Sequence, residues 1–155
     1  MKSHDKNSIT IDTIDETLSN SAYVKDMLRY FDEGYDARGI DDKKNRINRI
    51  KANIYNSVIY TSEVIKLVTS SGFTPKSVYA KMDTPANSII MIGVELEDYL
   101  NDNFRAIYDY VTELERTSRS ENFSIHFSLT YDDGEFNEEC IKADGYANIS
   151  DLINE

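Results

Sequence analysis

Tryptophan is absent from this 155-residue chain, cysteine occurs once, and proline and histidine occur twice each. The single cysteine, Cys140, excludes an internal disulfide framework. One cysteine and two histidines also cannot assemble the usual Cys/His tetrahedron of a structural zinc site. The six glycines are scattered, so neither a P-loop nor the dinucleotide-binding glycine triplet is present. The Gly-x-Ser-x-Gly elbow of many hydrolases is missing too. No apolar run approaches the ~18 residues of a membrane span. Met1, Lys2, Ser3 and His4 lead into polar sequence rather than into the apolar core of a secretory signal. The expectation is a cytoplasmic protein with no membrane contact, no cofactor and no metal site.

Positive charge is also in short supply, with 17 Lys and Arg against 28 Asp and Glu and a formal net charge of -11. The deficit is local. Met91–Glu155 carries sixteen acidic and four basic residues, whereas the first ninety residues carry twelve and thirteen. Such an acidic balance argues against a nucleic-acid partner, because whole-surface phosphate neutralisation is closed to it. Against it stands one basic island, Lys43, Lys44, Arg46, Arg49 and Lys51, in the opening turns of the longest helix. The helix dipole disfavours cations there, and residues that run against local preference can mark function. The island either docks on the acidic half of its own chain or meets a partner. With Asn45, Asn48 and Asn53 it has the groups to contact phosphate or an acidic protein surface.

Periodicity gives the architecture. Residues 1–8 read as a mobile tail, and Thr13–Glu16 has the spacing of a capping box. Ser21 caps a helix with Val24, Met27, Leu28 and Phe31 on one side, which Gly34 and Gly39 end. From Asp41 and Asp42, helical spacing runs through Ile47, Ile50, Ile54, Val58, Ile65 and Val68, interrupted at Thr61, and stops at Ser71-Gly72. The period then changes to two. Val78, Ala80 and Met82 share a face; Thr84–Asn87 is a turn; Ser88–Val94 is apolar on both faces. A helix striped by Leu100, Phe104, Ile107, Val111 and Leu114 follows, with acidic residues at its start and Arg116 and Arg119 at its end. Phe123–Tyr131 alternates cleanly, and Asp132-Asp133-Gly134 signals a hairpin. Residues 135–143 read as either a fourth strand or a short helix.

The fold expected is α+β: N-terminal helices followed by a β-β-α-β-β unit forming a four-stranded mixed sheet. It forms one domain over 1–155, with a helical part at 9–72 and a sheet part at 77–148. The strand-helix-strand step crosses over right-handed if its strands are parallel.

Three functions fit. The first is a small protein-interaction module of inhibitor, antitoxin or immunity type that binds a basic protein through Asp109, Glu113, Glu115, Asp132, Asp133, Glu135, Glu138 and Glu139. Eleven tyrosines suit such an interface. The second is a ligand-binding domain or enzyme on the polar face of strand 123–131. There His126 lies between Ser124 and Ser128, and Tyr79 and Asp132 complete the set. The third is a homo-oligomer that covers leftover apolar surface. The balance favours a protein that is not an enzyme. Cys140, among acidic neighbours, reads as structural.

Overall fold

The computed structural model describes residues 21–32, 40–132, 134 and 138–153, the side chains of 32 and 40–43 excepted. The expected tail, the Thr13–Glu16 box and the Gly34–Gly39 break fall outside the described residues.

Helix α1 (Ala22–Asp32) starts as its sequence dictates: the Val24 amide donates to Ser21 Oγ at 3.1 Å. Tyr23, Val24 and Phe31 are buried, and burial pushes the Tyr23 phenol well above its ordinary pKa. Helix α2 (Ile40–Ser70) is the long one. Its end shows the paired bonds of a glycine-terminated helix: Phe73 N–H to the Val68 carbonyl at 3.1 Å and Gly72 N–H to the Thr69 carbonyl at 3.0 Å. Gly72 takes φ +91°, which a side chain would strain. Phe73 and Val68 are both buried beside this turn.

Strands β1 (Pro75–Thr84) and β2 (Asn87–Val94) form an antiparallel hairpin, and β3 (Ser124–Tyr131) adds parallel to β2. The register sorts the side chains. Val78, Ala80 and Met82 lie opposite Ile92, Ile90 and Ser88, which lie opposite Leu129, Phe127 and Ile125. This face is covered by α2 and by helix α4 (Arg105–Ser118), which contributes Ile107 and Val111. Ile54, Val64, Val68, Ile90, Ile92 and Ile107 are fully enclosed, and each contributes about 1.5–3 kcal/mol of burial. Thr61 does not break the α2 stripe; it is itself fully buried.

Polar groups set the register of α2 on the sheet. Asn53 Nδ2 donates to the carbonyls of Pro85 (2.6 Å) and Asn122 (3.1 Å). One turn on, Ser57 Oγ donates to the Asn53 carbonyl at 2.8 Å and lies 2.6 Å from Ser88 Oγ. Asn53 is therefore an internal clamp and not part of a surface contact with phosphate or protein.

The connection between β2 and β3 differs from the single helix expected. A one-turn helix α3 (Leu96–Tyr99) ends at Leu100, Asn101 returns to an extended conformation (ψ 132°), and its Oδ1 accepts the Asn103 amide. A 3-10 turn at Asp102–Phe104 then leads into α4. Leu100, placed on the helix stripe by its spacing, is 69 % exposed. The asparagine prefers to cap a new helix rather than sit inside an old one.

After β3 the chain does not return as a hairpin. Asp132 N–H still pairs with the Val94 carbonyl (2.7 Å), and Asp132 Oδ1 accepts the Gly134 amide (2.9 Å). From Glu138 on, the chain lies over the second face of the sheet, that of Tyr79 and Lys81. Of the two alternatives for 135–143, the helix is present, as α5 (Glu138–Ala143), and the fourth strand is the later β4 (Ala147–Asn148). Lys81 on β1 reaches the Asp144 carbonyl (3.2 Å) and sits over the Tyr146 ring (4.5 Å), which holds this segment down. β4 pairs with β1 at the far edge, so the order is β3-β2-β1-β4. The architecture is α+β, with helices preceding a four-stranded mixed sheet. No helix among the described residues is long and apolar enough to cross a membrane.

Candidate functional site

β2 and β3 are parallel neighbours, and the chain leaves them in opposite directions. From β2 it passes through α4 over the covered face; from β3 it passes through α5 over the face of Tyr79 and Lys81. A sheet opens a crevice at the carboxyl ends of strands that diverge in this way, and ligands bind there. The residues after Val94 and Tyr131 fill that place.

The broken helix supplies an aromatic wall. Phe104 is buried and anchors it, edge-on to Phe73 (5.2 Å between centroids) and to Tyr108 (5.6 Å). Tyr99 packs on Phe104 (6.1 Å) and on Tyr131 (5.6 Å). Burial, aided by the neighbouring Tyr99 hydroxyl, pushes the Tyr108 phenol up to about 12. Its hydroxyl donates to the Leu129 carbonyl at 3.3 Å. In front of these rings lies an open cleft of about 860 Å³, bordered by Leu100, Asp102, Arg105 and Asp109. Leu96, Leu100, Tyr108 and Tyr131 all stay substantially exposed, while the flanking Glu95, Glu97, Asp102 and Asp109 face solvent.

Of the acidic residues proposed from sequence, Asp109 borders this cleft. Glu113 is exposed one turn further on and ion-pairs with Arg116, which holds its carboxyl below the usual range. Glu115 turns the other way. Its Oε2 accepts the Phe127 amide at 2.8 Å and lies 3.4 Å from His126 Nδ1, so it serves the open edge of β3 and is turned away from the outward side of Asp109 and Glu113. Asp132 and Glu138 gather around the buried Tyr79, whose hydroxyl is 3.5 Å from Glu138 Oε1. Burial first, and these two charges second, push the Tyr79 phenol up. Glu139 is exposed; Asp133 and Glu135 lie outside the described residues. Cys140 is exposed on α5 rather than packed in the core.

The ligand-site residues are not brought together. His126 faces solvent at the β3 edge beside Glu115, whereas Tyr79 and Asp132 lie together over β1. Ser124 Oγ is engaged with Asn87 Oδ1 at 2.7 Å. Among the described residues, no three His, Cys, Asp or Glu side chains converge on a point that suits a metal ion.

In the basic island Lys44 and Arg49 are exposed and Arg46 and Lys51 half-buried; the Lys43 side chain is outside the described set. Among the described residues no ion pair joins Lys44, Arg49 or Lys51 to the acidic half. The cleft itself is what sequence reading missed. Its signal is Asn101-Asp102, a capping pair inside an apparently continuous helical stripe. No family model, curated protein or solved structure matches the chain.

Proposed function

We propose that this protein is a small interaction module, of the inhibitor, antitoxin or immunity kind, that receives a basic protein surface at the carboxyl ends of β2 and β3. The observation that carries the reading is the exposure of Leu100 and Tyr108 in one cleft that Asp102 and Asp109 also border, with Tyr131 exposed beside it against Tyr99. Apolar and aromatic groups left exposed together in a cleft mark interaction sites. Tyrosines anchored by buried Phe104 offer contact area that loses little conformational freedom on binding. The two carboxylates add steering and select against acidic partners. Asp102 and Asp109 take over from Glu115 as the carboxylates of this surface. The reading carries a cytoplasmic setting with it, as the composition suggests.

The test is parallel affinity capture from the native host at low salt with the wild-type chain and with Leu100→Glu. Leu100 is exposed, so the variant keeps the fold. The expected result is a basic protein bound by the wild type, lost from Leu100→Glu and released as salt rises. A protein retained equally by both chains, or no bound protein at all, overturns the proposal.

A further inference from the structure

The cleft has a chemistry narrower than general acidity. Its back wall is Tyr99 and Tyr108, packed on the buried Phe104, with Tyr108 also tied to Leu129. Its mouth carries Asp102, Arg105 and Asp109. The spacing of these three along the chain suits ion pairing on a helix. Yet among the described residues none of the three side chains has a hydrogen-bond or ion-pair partner. Two carboxylates therefore stand uncommitted beside a preformed aromatic wall. A planar cation satisfies both features together, because a guanidinium stacks on ring faces and offers parallel N–H groups to a carboxylate. An ammonium is a compact, strongly hydrated point charge and gains less from such a wall.

Building on the proposed function, we infer that the cleft lined by Tyr99 and Tyr108, which pack on the buried Phe104, is an arginine receptor: the partner inserts an arginine side chain between these two tyrosines and the carboxylates of Asp102 and Asp109. Arg105 then has a defined place. It is a like charge at the mouth, it opposes the incoming guanidinium, and it limits affinity. The opposite assignment, in which Arg105 grips an acidic group, predicts the reverse sign for every charge variant.

The test is an NMR titration of the full chain with end-blocked glycine pentapeptides carrying two arginines, two lysines or two glutamates. The arginine peptide is expected to give saturable shifts confined to residues 96–109 and to bind at least about threefold more tightly than the lysine peptide. Arg105→Gln is expected to tighten it by about threefold, and Asp102→Asn and Asp109→Asn each to weaken it by about as much, as screened surface charges do. All three positions are exposed, and a thermal melt of each variant checks that the fold is kept. Equal binding of lysine and arginine, weaker binding by Arg105→Gln, preference for glutamate, or shifts outside the cleft each overturn the inference. Its failure is separable from failure of the parent reading. A basic partner that Leu100→Glu loses, but that binds as well after its arginines are changed to lysine, leaves the docking surface standing and removes only the arginine receptor.

Discussion

Replacing Asn53 with alanine removes the two hydrogen bonds that tie the middle of α2 to both loops at the same end of the sheet. One Nδ2 hydrogen reaches the Pro85 carbonyl at 2.6 Å and the other the Asn122 carbonyl at 3.1 Å. Each bond is worth about 1 kcal/mol net. Pro85 is half-buried and Asn122 exposed, so water can re-satisfy the two carbonyls once the amide is gone. That keeps the expected cost of Asn53→Ala near the plain sum, about 2 kcal/mol, rather than at the larger penalty of stranded buried groups. For 155 residues this corresponds to a fall in Tm of roughly 4–8 °C. In urea it is a shift of about 1 M in the midpoint at unchanged slope. Asn53→Asp is the discriminating control. A carboxylate occupies the same volume but donates nothing, and it would face two carbonyl oxygens from a position only 5 % exposed. It should cost at least twice as much as alanine near neutral pH. A loss under about 0.5 kcal/mol for Asn53→Ala, or an Asn53→Asp chain no less stable than Asn53→Ala, would refute the clamp.

Two further outcomes are expected. Thr61→Val should raise stability by about 1 kcal/mol in urea, since the Thr61 hydroxyl is enclosed with no partner among the described residues and valine matches its branched shape; a loss of stability would show that the hydroxyl is satisfied after all. Glu115→Ala should free the Phe127 amide on the open β3 edge, costing about 1 kcal/mol and promoting concentration-dependent self-association in light scattering, whereas Glu115→Gln, which keeps an acceptor oxygen, should stay monodisperse. Equal behaviour of the two Glu115 variants would mean that the edge is not guarded in this way.

What could be read from the residues follows how local the cause is. The Ser21 cap, the Gly72 stop and the alternation of Phe123–Tyr131 are fixed by near neighbours, and the structure contains all three. The α2 face was legible except at Asn53, Ser57 and Thr61, polar residues buried within the apolar stripe, and at the buried Val64, which the spacing passed over. β4 was not legible, because a two-residue strand shows no alternation and its partner β1 lies more than sixty residues earlier. Glu115 was legible in principle. It stands four residues after the buried Val111 and belongs to the inward side of α4, not to the outward side of Asp109 and Glu113. Counting acidic residues without their helical phase grouped it with Asp109 and Glu113, from which the geometry separates it.

The candidate site lies where local and global preferences part company. An uninterrupted helix from Leu96 to Ser118 would satisfy its internal backbone bonds and turn Leu100 toward the stripe of Phe104 and Ile107. Instead the chain breaks at Asn101, leaves a leucine in water, and presents Tyr99 and Tyr108 side by side over Phe104. The core does not account for this, since Phe104, Ile107 and Val111 are enclosed without help from Leu100. An exposed leucine and an interrupted helix each cost stability, and a sequence shaped for stability alone would avoid both. The break is at the divergence of β2 and β3, the one place in the described sheet where topology opens a crevice between parallel strands. Departures from self-consistency concentrate at functional sites, and here the departure, the crevice and the exposed rings coincide. That coincidence favours the cleft over His126, whose polar, solvent-facing position at a strand edge is fully explained by the alternation of β3 and the carboxylate of Glu115.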